Sequence, residues 1–120
     1  MELSVLERVV FKAGEDVFKD GEKGNNAFVV QEGLIEIVKG SGDEEVILGT
    51  IEKGGIFGEM ALIDDQPRMA SARAADDTTV IVIDRDMFRK KLAKSDPFVR
   101  GLLGIFTKNL RSMADRRVNV

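Results

Sequence analysis

Residues 54–72 read GGIFGEMALIDDQPRMASA, and the chain is best read outward from them. Gly54, Gly55 and Gly58 let the backbone bend tightly and let another group come close. Glu59 follows Gly58 directly, and Met60, Ala61, Leu62 and Ile63 favour a short helix. The start of such a helix presents backbone N–H groups that attract an anion. Arg68, just after Pro67, adds a planar and permanently charged fork of donors that suits phosphate. The small residues Ala70, Ser71 and Ala72 close the stretch. It reads as an anion cradle that also holds a carboxylate. A carboxylate only accepts hydrogen bonds, so beside a bound anion it needs a donor of its own, such as a hydroxyl. The bland alternative for Glu59 and Arg68 is a salt bridge within a loop. The glycines and spacing around them favour the ligand site.

The totals narrow the field. The chain has 120 residues, 43% of them hydrophobic, which fits one domain with its own core. It has neither Cys nor His. Disulfides, zinc sites and Ser–His or Cys–His nucleophiles are therefore excluded, and no calcium-loop spacing occurs. A catalytic role such as phosphodiester hydrolysis finds no residues to carry it. No catalytic or metal-binding residue is expected. No apolar run approaches a membrane span, and no secretory segment opens the chain, so a cytoplasmic protein with no membrane partner is expected. The net charge of −3 hides an asymmetry. Residues 1–84 carry 18 acidic and 8 basic side chains, and residues 85–120 carry 3 and 10, giving −10 and +7. The basic end reads as a solvated helix face before a nucleic-acid or acidic-partner surface.

Upstream of the cradle, the signals are β. Residues 9–12 (VVFK), 17–19, 27–31, 34–39 (LIEIVK) and 46–51 read as strands, separated by turn signals at AGED, DGEKGNN, Gly33 and GSGD. Residues 1–7 suggest the end of a helix. Two hairpins in succession point to an antiparallel sandwich or a jelly roll. Downstream, residues 70–74 suit a strand, and TTVIVI at 78–83 is the clearest buried one. The period then changes. Met87, Phe88, Leu92 and Ala93 fit a short helix, and Ser95-Asp96-Pro97 starts another. Val99, Leu102, Leu103, Phe106, Leu110 and Met113 then recur every three or four residues, an amphipathic helix of about five turns. Gly101 and Gly104 each weaken it by about 1 kcal/mol, so it depends on packing.

The stretch GIFGEMALIDDQPRMASA, with DGEKGNNAFVVQEG upstream, resembles the cyclic nucleotide-binding domain family. The likeness extends from about Val10 to the last helix. It implies a mainly β fold with C-terminal helices: an eight-stranded antiparallel jelly-roll β-barrel (a double-stranded β-helix) with a short helix in its phosphate-binding cassette. The domain would fill residues 1–120, with the barrel over about 8–84 and the helices over about 85–117. By resemblance, Glu59 binds the ribose 2′-hydroxyl. Gly58 and the amides of Met60 and Ala61 bind the cyclic phosphate, with Arg68 and the amide of Ala70. Loss of such a charged partner typically costs about 2–5 kcal/mol. Phe57 and Met69 complete the set of ligand-binding residues, although Phe57 reads first as core.

Met69 stands where guanine-preferring members often place Thr, so cAMP is expected over cGMP. With no Tyr or Trp in the chain, an aromatic lid over the base must come from Phe98 or Phe106. Gly21, Gly24 and Gly33 read as turn formers. Val46, Ile47 and Leu48 suit either the base pocket or the core. Asp64 and Asp65 read as exposed loop acids. The stripe from Val99 to Met113 could pack on the barrel, cap the ligand or, through the heptad-like order Val99, Leu103, Phe106, Leu110, Met113, pair with a second copy. The expected function is a sensor or regulatory module. It binds cyclic nucleotide, takes no other cofactor, and signals through its C-terminal helices to an unknown protein effector. The alternative is an interaction module with a degenerate pocket that uses its basic helix on an acidic partner.

Overall fold

The computed structural model describes residues 7–40 and 42–118, with side chains through 114. The helix end suggested for residues 1–7 lies mostly outside the described residues, and Glu7 itself opens a strand. Among the described residues eight strands run in chain order: β1 (Glu7–Phe11), β2 (Asp16–Phe18), β3 (Asn26–Glu32), β4 (Ile35–Lys39), β5 (Val46–Ile51), β6 (Ile56–Phe57), β7 (Ser71–Ala74) and β8 (Thr78–Asp84). Among them lie α1 (Met60–Asp64), between β6 and β7, and then α2 (Arg85–Ala93) and α3 (Pro97–Val118) at the end.

All pairings are antiparallel, and they form two four-stranded sheets in the orders β1-β8-β3-β6 and β2-β7-β4-β5. The expected closed barrel is not what the ladders describe. Among the described residues no hydrogen-bonded ladder joins the two sheets, so they face each other as layers. Their inner faces meet through Phe28, Val30, Ile35, Phe57, Ala72, Ala74 and Val80, all buried. Alternation along β3, β4 and β7 puts these side chains inward by the two-residue period of a strand. Phe18, Phe28 and Phe57 form an aromatic cluster with ring centroids 5.2–6.1 Å apart.

Some local expectations shift. Asp16, read as a turn residue, begins β2, and Ile56–Phe57 forms a short strand inside the glycine-rich stretch. Asp84 caps α2, its carboxylate accepting from Met87 N at 2.8 Å, so that helix starts two residues before the apolar spacing does. Asp96 likewise accepts from Phe98 N at 2.8 Å near the start of α3. That helix has 22 residues, about six turns. Only part of its apolar stripe lies on its packed face. Thr107 and Ala114 are buried, with Leu102, Leu103 and Arg111 half-buried, and this side meets α1 and β5. Val99, Phe106, Leu110 and Met113 are exposed.

Candidate functional site

Strand β6 leads into the site. Phe57 is buried in the aromatic cluster, and Gly58 turns the chain at φ +80°. A Cβ there would stand 2.9 Å from Arg68 Nη1 and 3.1 Å from the Phe18 ring, so both the turn and the space require glycine. Glu59 takes helical angles just before α1, and its carbonyl accepts the first helical bonds, from Leu62 N and Ile63 N. The amides of Met60 and Ala61 precede those bonds and have no acceptor within the helix. Leu62 and Ala61 anchor α1 in the core.

Arg68 returns to this turn from the far side of α1. It is only 6% exposed. Its Nη1–H donates to Gly58 O at 2.6 Å, its Nη2–H donates to Asn26 O at 2.7 Å, and its Cζ lies 4.0 Å from the centre of the Phe18 ring. The buried Nε has no hydrogen-bond partner. Among the described residues no carboxylate forms a salt bridge with Arg68. Burial therefore pushes the guanidinium pKa down, with Arg85 adding to the effect while Glu22 and Glu59 oppose it. An arginine still stays charged at neutral pH. The protein thus buries a cation whose charge is met by carbonyl dipoles and an aromatic face. Burial also pushes the Glu59 carboxyl above the ordinary carboxylate range; its own backbone amide and the charge of Arg68 pull the other way and do not prevail.

A cavity of about 170 Å³ opens at this point. Phe57, Gly58, Glu59, Met60, Ala61, Arg68, Met69 and Ala70 line it together, joined by Phe18, Ile37, Ile51, Ile56 and Arg111. Its walls combine an apolar slot from β4, β5 and β6 with two cations, Arg68 and Arg111, one carboxylate and the amides of the turn. Such a surface can hold a flat apolar group, an anion and a hydroxyl at once. Among the described residues no group of three or more His, Cys, Asp or Glu could hold a metal ion. No described helix is long and apolar enough to cross a membrane.

Several expectations fall elsewhere. Phe98 and Phe106 are 72% and 54% exposed and do not line the cavity, because α3 turns that face outward. The α3 residue at the cavity is Arg111. Val46 and Ile47 do not line it either, and Leu48 lies in a groove under α3. Asp64 and Asp65 are not idle loop acids. Asp64 is paired with Arg111 Nε at 2.6 Å, and Asp65 with Arg85 Nη1 at 2.5 Å and with Arg89 Nη2. Gly24 is not a turn former: its backbone needs no left-handed angle, but a Cβ would lie 2.6 Å from Arg68 Cζ. Sequence reasoning missed Phe18, Asn26 and Arg111. Only the unusual basic content of the last helix hinted at Arg111.

Known proteins resemble this chain in sequence and in fold. The family model described as cyclic nucleotide-binding domain matches residues 8–95. The chain belongs to this family. The cyclic nucleotide-binding domain is 34% identical, over 79% of its length, to a cAMP-dependent protein kinase regulatory subunit of Emericella nidulans, of which it spans 23%. It is 28% identical, over 96% of its length, to cGMP-dependent protein kinase 2 of Homo sapiens, of which it spans 15%. Among solved structures, the cAMP-bound EAL enzyme Bd1971 superposes with a TM-score of 0.82 at 31% identity, covering 88% of this domain and 28% of that chain. The regulatory domain of Toxoplasma gondii PKA with cAMP gives 0.73 at 27% identity, covering 87% and 39%.

Proposed function

We propose that this cyclic nucleotide-binding domain is a cytoplasmic, non-catalytic sensor for a cyclic nucleotide, cAMP before cGMP. The observation that carries the reading is Arg68: a buried cation with an unpartnered Nε on the wall of a cavity whose next groups are the free amides of Met60 and Ala61. A cyclic phosphate carries one negative charge and would neutralise that cation in a site already desolvated. Gly58 and the amides of Met60, Ala61 and Ala70 would share the phosphate oxygens, and Glu59 would accept from the ribose 2′-hydroxyl. Ile37, Ile51 and Ile56 offer the base an apolar slot. Met69 stands where guanine-preferring members often place Thr, in keeping with the cAMP reading. Bd1971, whose structure has cAMP-bound and cGMP-bound forms, supports either base.

The two sheets would correspond to the halves of an eight-stranded jelly roll. The signal would leave through α2 and α3, toward a protein effector or output domain, because both helices are tied to α1 beside the phosphate site. The exposed Val99, Phe106, Leu110 and Met113 face suits a second copy, which would give a homodimer through α3. Thermal-shift titration with cAMP and cGMP tests the function. Ligand at 100 times its dissociation constant should add about 2.7 kcal/mol of stability. Arg68→Ala should abolish the shift, and Arg68→Lys should weaken it because the fork is lost. No shift with either nucleotide would sink the reading.

A further inference from the structure

Lys39 closes β4 with a side chain only 17% exposed. Its ammonium donates to Met69 O at 2.6 Å and pairs with Asp20 Oδ2 at 3.2 Å. Asp20 is fixed in turn, since its amide donates to Ser71 Oγ at 3.0 Å. The β4–β7 ladder pairs Val38 with Ser71; carried one step further, it sets Lys39 opposite Ala70. Lys39 therefore grips the peptide unit that joins Met69 to Ala70. That unit is trans, so its C=O and N–H point in opposite directions. Lys39 itself does not line the cavity, whereas Met69 and Ala70 do. Ala70 is buried at 2% exposure and stands just outside β7, so its N–H enters no strand ladder.

We infer that Lys39 is a positioning residue for the phosphate subsite: by holding Met69 O outside, it turns the Ala70 N–H into the cavity as an anion donor. The inference rests on the cyclic-nucleotide reading and adds a residue to it. No signal in the glycine-rich stretch points to Lys39, which lies some thirty residues upstream at the end of LIEIVK. Its ammonium pairs with Asp20 and donates to a carbonyl, and it stands outside the cavity lining, so it works through the peptide it orients. A fixed donor loses nothing to reorganisation when the anion arrives.

The test compares the parent chain with Lys39→Met and Lys39→Arg, using calorimetric titration with cAMP and the amide ¹H–¹⁵N resonance of Ala70. In the parent, cAMP should move the Ala70 proton downfield, as a charge-assisted bond to phosphate does. Lys39→Met should bind about tenfold more weakly and lose most of that movement, while Lys39→Arg, which keeps a donor, should stay within about threefold. A purely structural lysine would lower the melting temperature and leave the Ala70 shift intact, and that result overturns the proposal. Should Lys39→Met not fold, the parent decides alone: an Ala70 resonance unmoved by bound cAMP overturns it. A parent that binds no cyclic nucleotide removes the functional reading and this inference with it, an outcome distinct from binding that ignores Lys39.

Discussion

Arg111, four turns into the last helix, grips the carboxylate of Asp64 with two hydrogen bonds, Nε to Oδ2 at 2.6 Å and Nη2 to Oδ1 at 3.0 Å. A third bond runs from Nη1 to Pro67 O at 2.9 Å. Both side chains are about one-fifth exposed. A residue of α3 is thereby fixed to the segment that carries Arg68, at the edge of the cavity. Partial burial lifts such a pair above the surface norm, so a double-mutant cycle on Asp64→Asn and Arg111→Met should give a coupling of about 1 kcal/mol. Hydrogen exchange along α3 should rise in both single variants. A coupling near zero would show that α3 is held by its apolar contacts alone.

Gly24 and Gly21 should separate space from backbone freedom. Gly24→Ala places a methyl 2.6 Å from the pinned guanidinium of Arg68. Displacing that group should weaken cyclic nucleotide binding by about tenfold and cost about 1–3 kcal/mol of stability. Gly21 has open space around it but sits at φ +87°. Gly21→Ala should cost about 1–2 kcal/mol through the strained backbone and leave affinity within about threefold. Equal effects on affinity would mean that Gly24 is only another loop glycine.

Glu59 should be worth more to the ligand than to the fold. Its carboxyl titrates above the ordinary value because of burial. The folded chain then holds that proton more tightly than the unfolded one, so stability falls as pH rises from the ordinary carboxylate range through the raised folded value. Glu59→Gln removes this penalty. The free variant should melt above the parent at pH 7, with the gain vanishing well below pH 4.5. The same change should weaken cAMP binding by about tenfold, since a charged acceptor is lost, and should blunt discrimination against 2′-deoxy cAMP. Melting curves across pH and paired titrations check both halves.

The outer face of α3 offers a fourth prediction. Phe106 and Leu110 are 54% and 49% exposed and four residues apart. If that face meets a second copy, Phe106→Lys should convert a dimer to a monomer by sedimentation. Because the site is exposed, the monomer's stability should change by less than about 0.5 kcal/mol. A parent chain that sediments as a monomer up to high concentration ends the dimer reading.

Most of the strands are readable in the sequence, by the alternation that half-burial imposes in LIEIVK and by the continuous apolar run of TTVIVI. The glycine-rich stretch is equally legible, since Gly58, Glu59 and Arg68 are unusual neighbours whose spacing has few other uses. What stays hidden depends on partners far apart in the chain. The role of Gly24 is set by Arg68, and Arg68 leans on Asn26 and Phe18. No local pattern encodes such pairings. The α3 stripe misleads for a related reason: helical periodicity finds an apolar face but does not say what that face meets. The side that packs on the protein adds Thr107, Arg111 and Ala114 to Leu102 and Leu103, and the polar Thr107 and Arg111 are passed over by a search for apolar spacing.

Asp64 and Asp65 are neighbours at the end of a five-residue helix, yet they are tied to different helices, Asp64 to α3 and Asp65 to α2. Successive residues at a helix end face different ways, about 100° apart within the helix proper. The short helix is therefore a yoke to which both C-terminal helices are harnessed at adjacent residues, four and three positions before Arg68.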